Sequence, residues 1–203
     1  MVTKPQIYNP CGGHLSLDFV NSTGREPDVV ENERLVDYAA LLQWCRESGS
    51  LPAARARALG RAGQDRPDAA EAVVVRAVAL REALFEVWHA YVCEGRPPGS
   101  ALALVNAELA LALQHARLEQ DSRGFAWTWE PAPEALDMPL WQITRAAADL
   151  LASPERELVA ECDACDCLWL FLDRTRNHGR RWCEMKTCGN RDKVRQHRLR
   201  KRG

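Results

Sequence analysis

The chain has 203 residues, with 27 Lys or Arg against 28 Asp or Glu and a formal net charge of −1. No apolar run approaches the ~18 residues that a membrane helix needs, and no basic-then-apolar leader opens the sequence, so the expectation is a soluble, cytoplasmic protein without a membrane partner. About 160 residues can bury a core unaided, which leaves room for one medium domain and a small appendage.

Residues 7–22 alternate loosely, with Leu15, Leu17 and Phe19 on one side, and predict an early strand. His14 and Asp18 would then share a face, but no nucleophile lies within reach, so they read as hydrogen-bonded structural groups. A first helix is predicted over 33–48, with Leu35, Tyr38, Leu42 and Cys45 at helical spacing, Trp44 beside them and Gly49 as the stop. A short second helix follows over 52–62, weakened by Gly60, and 63–67 is a polar linker. The longest helix is predicted over 68–93. Its stripe of Val73, Ala77, Leu80, Leu84, Val87 and Tyr91 lasts under three heptads, which favours packing into its own domain over a coiled coil.

Two prolines and two glycines over 95–99 break that helix, and Ser100 is placed to cap the next, to about 114, with Leu102, Val105, Leu109 and Leu113 inward. Residues 116–120 and 125–130 flank Asp121-Ser122-Arg123-Gly124 and predict a hairpin. Phe125, Trp127 and Trp129 share one side of it. Such a row could stack bases, but core burial is the preferred reading because large aromatics chiefly fill cores. Asp137 is placed to cap a last long helix over 138–153, closed by Pro154, with Leu140, Ile143, Ala147, Leu150 and Leu151 inward. Residues 155–161 form a joint short enough to keep the two parts in contact. Cys45 and Cys93 read as small core residues.

Five of the eight cysteines fall between 162 and 188 in two groups, the spacing by which a chain gathers four thiolates around one zinc ion. Such clustering also agrees with a reducing compartment. Four protein sulfurs fill a tetrahedron and leave no place for a reactive water, so the zinc would be structural. Cys183 and Cys188 supply one pair, while Cys162 can partner either Cys165 or Cys167. Residues 168–172 read as a short strand, and Asn177 and Gly179 as a turn within 174–181, giving a hairpin that returns through Trp182. Gly189 would supply unusual backbone angles after the last cysteine, and Asn190 would cap a helix over 191–201.

From Arg174 onward there are twelve basic residues against two acidic ones, a formal +10, whereas the preceding 173 residues carry fifteen against twenty-six, or −11. A metal-fixed cationic surface suits phosphate contacts, and Arg can grip phosphate or guanine edges with two hydrogen bonds. The candidate contacts are Arg176, Arg180, Arg181, Lys186, Asn190, Arg191, Lys193, Arg195 and Arg198; Asn190 and Arg191 could instead brace the metal knuckle.

The run Cys162-x4-Cys167-x-Trp169-Leu-Phe-x-Asp173, then Arg180-Arg-Trp-Cys183-x-Met-x-x-Cys188-Gly-Asn-Arg191, resembles the CGNR-type zinc finger, found at the C-terminus of bacterial proteins whose N-terminal part is called the ABATE domain. Gly12-Gly-His-Leu-Ser-Leu-Asp-Phe-Val-Asn21 is similar to that family's opening pattern, with Ser22 where Thr is usual. The resemblance implies ligation by Cys162, Cys167, Cys183 and Cys188, leaving Cys165 as an extra thiol, and it places Leu168 where the family has a small residue. It also implies a stress-induced transcription regulator, a role inferred from the finger and without a named operator or effector.

The expected architecture is α+β: a mainly helical domain over 1–154 with a small antiparallel sheet, and a treble-clef-like zinc finger over 155–203 with a basic helix. The leading function is DNA-binding regulation, with the helical part as a sensor of a small-molecule or protein effector, a homodimer surface, or both. The alternative is a zinc-stapled module that binds protein only. A zinc enzyme would need an open coordination position, yet no His-x-Glu or His-Glu-x-x-His stretch occurs, and only His178 or His197 could substitute as ligands.

Overall fold

The structure is a computed structural model describing residues 8–24, 33–122, 124–130, 135–164 and 167–201. Helices dominate it, with two small two-stranded antiparallel sheets. The predicted early strand is instead a 3-10 turn, Pro10–Gly12, and a short helix α1, Leu15–Val20. Leu17, Phe19 and Val20 are all fully buried, and a helix enclosed on every side has no polar face whose period would reveal it. His14 caps α1 by accepting the Ser16 N–H, and Asp18 accepts the Gly12 N–H at 2.8 Å, so both residues are structural. Gly12 is required there because a Cβ would lie 2.8 Å from the Asp18 carboxylate.

Helix α2 runs Tyr38–Glu47, starting later than predicted because Asp37 caps it through the Ala40 N–H. Helix α3, Ala53–Asp65, absorbs most of the expected polar linker, and only Arg66 separates it from α4, Pro67–Val92. Gly63 permits this extension, since any side chain there would strike the Tyr38 ring. The α4 stripe is buried from Val73 to Val87 as predicted, with Trp88 beside it. Tyr91 is partly exposed, and Cys93 lies past the helix end in solvent rather than in the core.

Helix α5, Gly99–Gln114, makes no side-chain cap with Ser100, which sits inside its first turn. Its buried face is Ala101, Val105 and Ala112; Leu102 and Leu113 point outward, against expectation. Alanines allow close approach to α4 and α6 (Met138–Ala152), and that proximity, rather than residue size, decides which face is covered. Strands β1 (Ala116–Asp121) and β2 (Gly124–Trp129) form the predicted hairpin. Of its aromatic row only Trp129 reaches the core, against Trp141. Phe125 is 71% exposed, and Trp127 lies under the Arg145 guanidinium, 54% exposed. The two-stranded sheet hangs beside the helices, so only its base is covered. Asp137 does not cap α6; its carboxylate pairs with Arg76.

Trp44, Trp88, Trp141 and Phe19 fill the main core, where each fully buried side chain of this kind contributes roughly 1.5–3 kcal/mol. Beyond α6 come β3 (Val159–Glu161) and β4 (Leu170–Leu172), paired antiparallel. Strand alternation then divides β4 between two cores. Leu170 and Leu172 enter the main one, and Phe171 faces the cysteines.

Candidate metal centre and its cationic surround

The loop between β3 and β4 carries Cys162 and Cys167, and the chain returns after β4 to bring in Cys183 and Cys188. The expected hairpin through Trp182 is therefore replaced: β4 pairs with β3, and the returning leg is held by Asp163 N–H donating to the Arg181 carbonyl. Asp173, buried at the end of β4, turns the chain. It accepts the Thr175 N–H and hydroxyl at 2.9 and 2.6 Å and the Arg180 N–H at 2.8 Å. Those contacts, the Thr175 hydroxyl first, hold its carboxyl below the usual carboxylate range.

The sulfurs of Cys162, Cys167, Cys183 and Cys188 all lie within 4.8 Å of one another and are buried. Cys167 to Cys183 and Cys183 to Cys188 are each 3.6 Å, close to the roughly 3.8 Å edge of a tetrahedron with zinc–sulfur bonds of about 2.3 Å. The donor set therefore fits one zinc ion. With four protein sulfurs and no open position, its role is structural. Hydrogen bonds from Cys167 and then Cys183 push the Cys162 thiol down from its ordinary value. Cys167 is raised in return, and Cys183 is raised first by Cys11 and then by Cys162. Zinc would take all four as thiolates, with proton release.

Among the described residues Cys167 completes the cluster with Cys162, Cys183 and Cys188, and Cys165 and Asp166 lie outside those residues. Leu168 has φ of 57°, a left-handed conformation that glycine adopts most easily and a branched side chain resists. His178 Nδ1 faces the Asp173 carbonyl, and His197 is exposed on α7; neither joins the sulfurs.

Cys188 sits in a π-helical turn, Met185–Gly189, that runs straight into α7, Asn190–Arg200. Gly189 is needed for space rather than for backbone angle, because a Cβ would meet the Met185 sulfur and the Trp182 ring. Asn190 is the first helical residue and not a cap; its amide donates to the Lys186 carbonyl at 3.0 Å. Arg191 Nη2 donates to the Cys188 sulfur at 3.4 Å. Both residues thus brace the knuckle.

The remaining candidate cations divide by their contacts. Arg180 stacks on Phe171, 4.2 Å from the ring centre, and donates to the carbonyls of Cys11, Leu172, Trp182 and Cys183. Arg181 is exposed but pairs with Asp163 at 2.7 Å, which raises its pKa. Arg176, Lys186, Lys193, Arg195 and Arg198 extend from the turn, the π-helical segment and α7, all exposed. Helical spacing puts Arg191, Arg195 and Arg198 on one stripe.

A polar residue with no mark of function in the sequence fastens the finger to the helices. The Asn21 amide donates to the Leu170 carbonyl at 2.8 Å, and the Leu170 N–H returns to Asn21 Oδ1 at 2.9 Å. One side chain thus serves the free edge of β4 as a third strand would. Asn21 closes the opening pattern of the chain, but no periodicity links positions 149 apart. Trp169 adds a bond to the Thr23 carbonyl at 2.9 Å.

Comparison with known families gives two matches. Residues 13–154 match the ABATE model, described as "Putative stress-induced transcription regulator". Residues 159–201 match the CGNR zinc finger. No curated protein matches the chain.

Proposed function

Since the chain belongs to the ABATE family and ends in a CGNR zinc finger, we propose that it is a transcription regulator that contacts DNA through the finger and α7. The observation that carries this reading is the exposed cationic surface built on a closed metal frame. Every described side chain from 190 to 201 is exposed except half-buried Asp192. An α-helix about 16 Å long fits the major groove, and side chains along it can reach phosphates on both sides. In this arrangement Arg176, Lys186, Lys193, Arg195 and Arg198 meet phosphate, with Arg181 beside them. Arg180 and Asn190 act as braces, and Arg191 both donates to the Cys188 sulfur and borders the surface.

The families matched are of regulator and zinc-finger type, not enzymatic. No helix is long and apolar enough to cross a membrane among the described residues. We divide the chain near residue 154, a reading supported by one family match ending at 154 and the other beginning at 159. The finger nevertheless shares β4 with the helical core, which supports a reading in which the helical part senses an effector or dimerises and passes the result on. Because an isolated finger would expose Leu170 and Leu172, the test uses the full zinc-loaded chain, incubated with random duplexes and selected over several rounds. A recovered motif with salt-dependent affinity supports the proposal. Binding to protein alone, with no duplex retained at low salt, favours the interaction-module reading.

A further inference from the structure

We propose that the groove enclosed by α2, α3 and α4 is a binding site for a small amphipathic organic acid, an apolar body with one anionic head. None of its lining residues belongs to the finger, so the proposal stands or falls independently of DNA binding. The groove has a volume of about 800 Å³, within the roughly 300–1,000 Å³ of small-molecule sites. Small residues line it: Ala56, Gly60, Gly63 and Ala70 at its covered base, and Ala39 and Ala53 on its exposed rim. Val36 and Val75 stand at its mouth, 70% and 65% exposed, where an apolar body would cover them.

Charge sets the orientation. Helices α2 and α3 run antiparallel along the groove, since Tyr38 lies against Gly63 and Leu42 against Gly60. One turn further along α2 and one turn back along α3, Arg46 comes opposite residues 56–57, so Arg46 and Arg57 converge at one end. Both line the groove and are exposed, and among the described residues neither makes an ion pair or hydrogen bond with the protein. Two guanidinium groups without a carboxylate, beside an apolar floor, are a receptor for a carboxylate or sulfonate head. The opposite end carries Asp37 and Glu71, and Asp37 is already engaged with the Ala40 N–H at 2.7 Å. An anion is therefore repelled from that end and drawn to the other.

The probe is 8-anilinonaphthalene-1-sulfonate, an aromatic body with one anionic head, titrated by fluorescence into the full zinc-loaded chain. Its uncharged analogue N-phenyl-1-naphthylamine is titrated in parallel. One saturable site is expected for each. Arg46→Ala with Arg57→Ala should weaken the sulfonate by about ten-fold or more, given the strength of charge-assisted contacts, and leave the neutral analogue within about two-fold. Ala39→Trp, at an exposed position, should fill the groove and abolish both. Ala53→Glu provides a variant that keeps its fold, because an acid in the first turn of α3 is favoured by the helix dipole. It should weaken the sulfonate alone by offering Arg57 a carboxylate one turn away. The proposal is overturned if Ala39→Trp leaves sulfonate binding intact, if the paired arginine change weakens both probes equally, or if binding disappears on Trp127→Ser in the exposed hairpin instead.

Discussion

Replacing Asn21 with Ala removes both hydrogen bonds to Leu170 and leaves a buried N–H and a buried C=O on β4 without partners. Asn21 is 1% exposed and Leu170 fully buried, so water cannot take over. Each abandoned buried group costs roughly 1–3 kcal/mol, giving about 2–6 kcal/mol in all. For a chain of this size each kcal/mol moves the midpoint by about 2–4 °C, so a drop of roughly 5–20 °C is expected. Thermal unfolding followed by circular dichroism, with zinc held constant, measures it. Because β4 lies between the two cysteine-bearing legs, the variant should also yield its zinc to a competing chelator more readily than wild type. A destabilisation below about 1 kcal/mol with unchanged zinc retention would refute the view that this one amide docks the finger.

Cys167→Ser or Cys188→Ser should reduce zinc from one ion per chain to none by metal analysis, whereas Cys165→Ser should keep it; the opposite pattern would exchange the ligands. Changing Lys186, Lys193 and Arg198 together to Ala should lower duplex affinity and make the salt slope shallower by about 0.9 for each phosphate no longer neutralised, measured by fluorescence anisotropy at several salt concentrations. Arg180→Ala should act differently, lowering stability by about 2–5 kcal/mol in chemical denaturation through the carbonyls it abandons. Burial pushes the Asp18 carboxyl up to about 6, despite the hydrogen bonds from Gly12, Tyr8 and Gly13. The folded chain thus holds this proton more tightly than the unfolded one, and the ionised form costs stability at neutral pH. That cost shrinks as pH falls from about 7 toward 4, so wild type should gain roughly 1–2 kcal/mol relative to Asp18→Asn between pH 8 and pH 5. A flat difference would contradict the assignment.

Much of the helical frame is legible in the sequence because long amphipathic segments need few assumptions. The stripe from Val73 to Val87 and the breaks at Pro67 and Pro98 follow from local chemistry alone. Helix α1 is not legible, because a short helix buried on all sides has no polar face to give it a period. The α5 face and the Phe125 and Trp127 side chains depart from expectation for a related reason: residue size suggests burial, but a neighbour must be present to bury it. At the metal, spacing finds the region of the four sulfurs, and charge finds the cationic tail.

What the sequence determined by itself was the stretch that supplies the sulfur ligands, the excess of charge beyond Arg174 and the principal helices, since each depends on residues near one another along the chain. Tertiary structure alone decided that Asn21 completes the edge of β4, that Arg180 is a brace rather than an outward cation, and that β4 serves two cores at once. Those are partnerships between positions up to 169 residues apart. They arise because buried polar groups must find partners wherever the folded chain brings them.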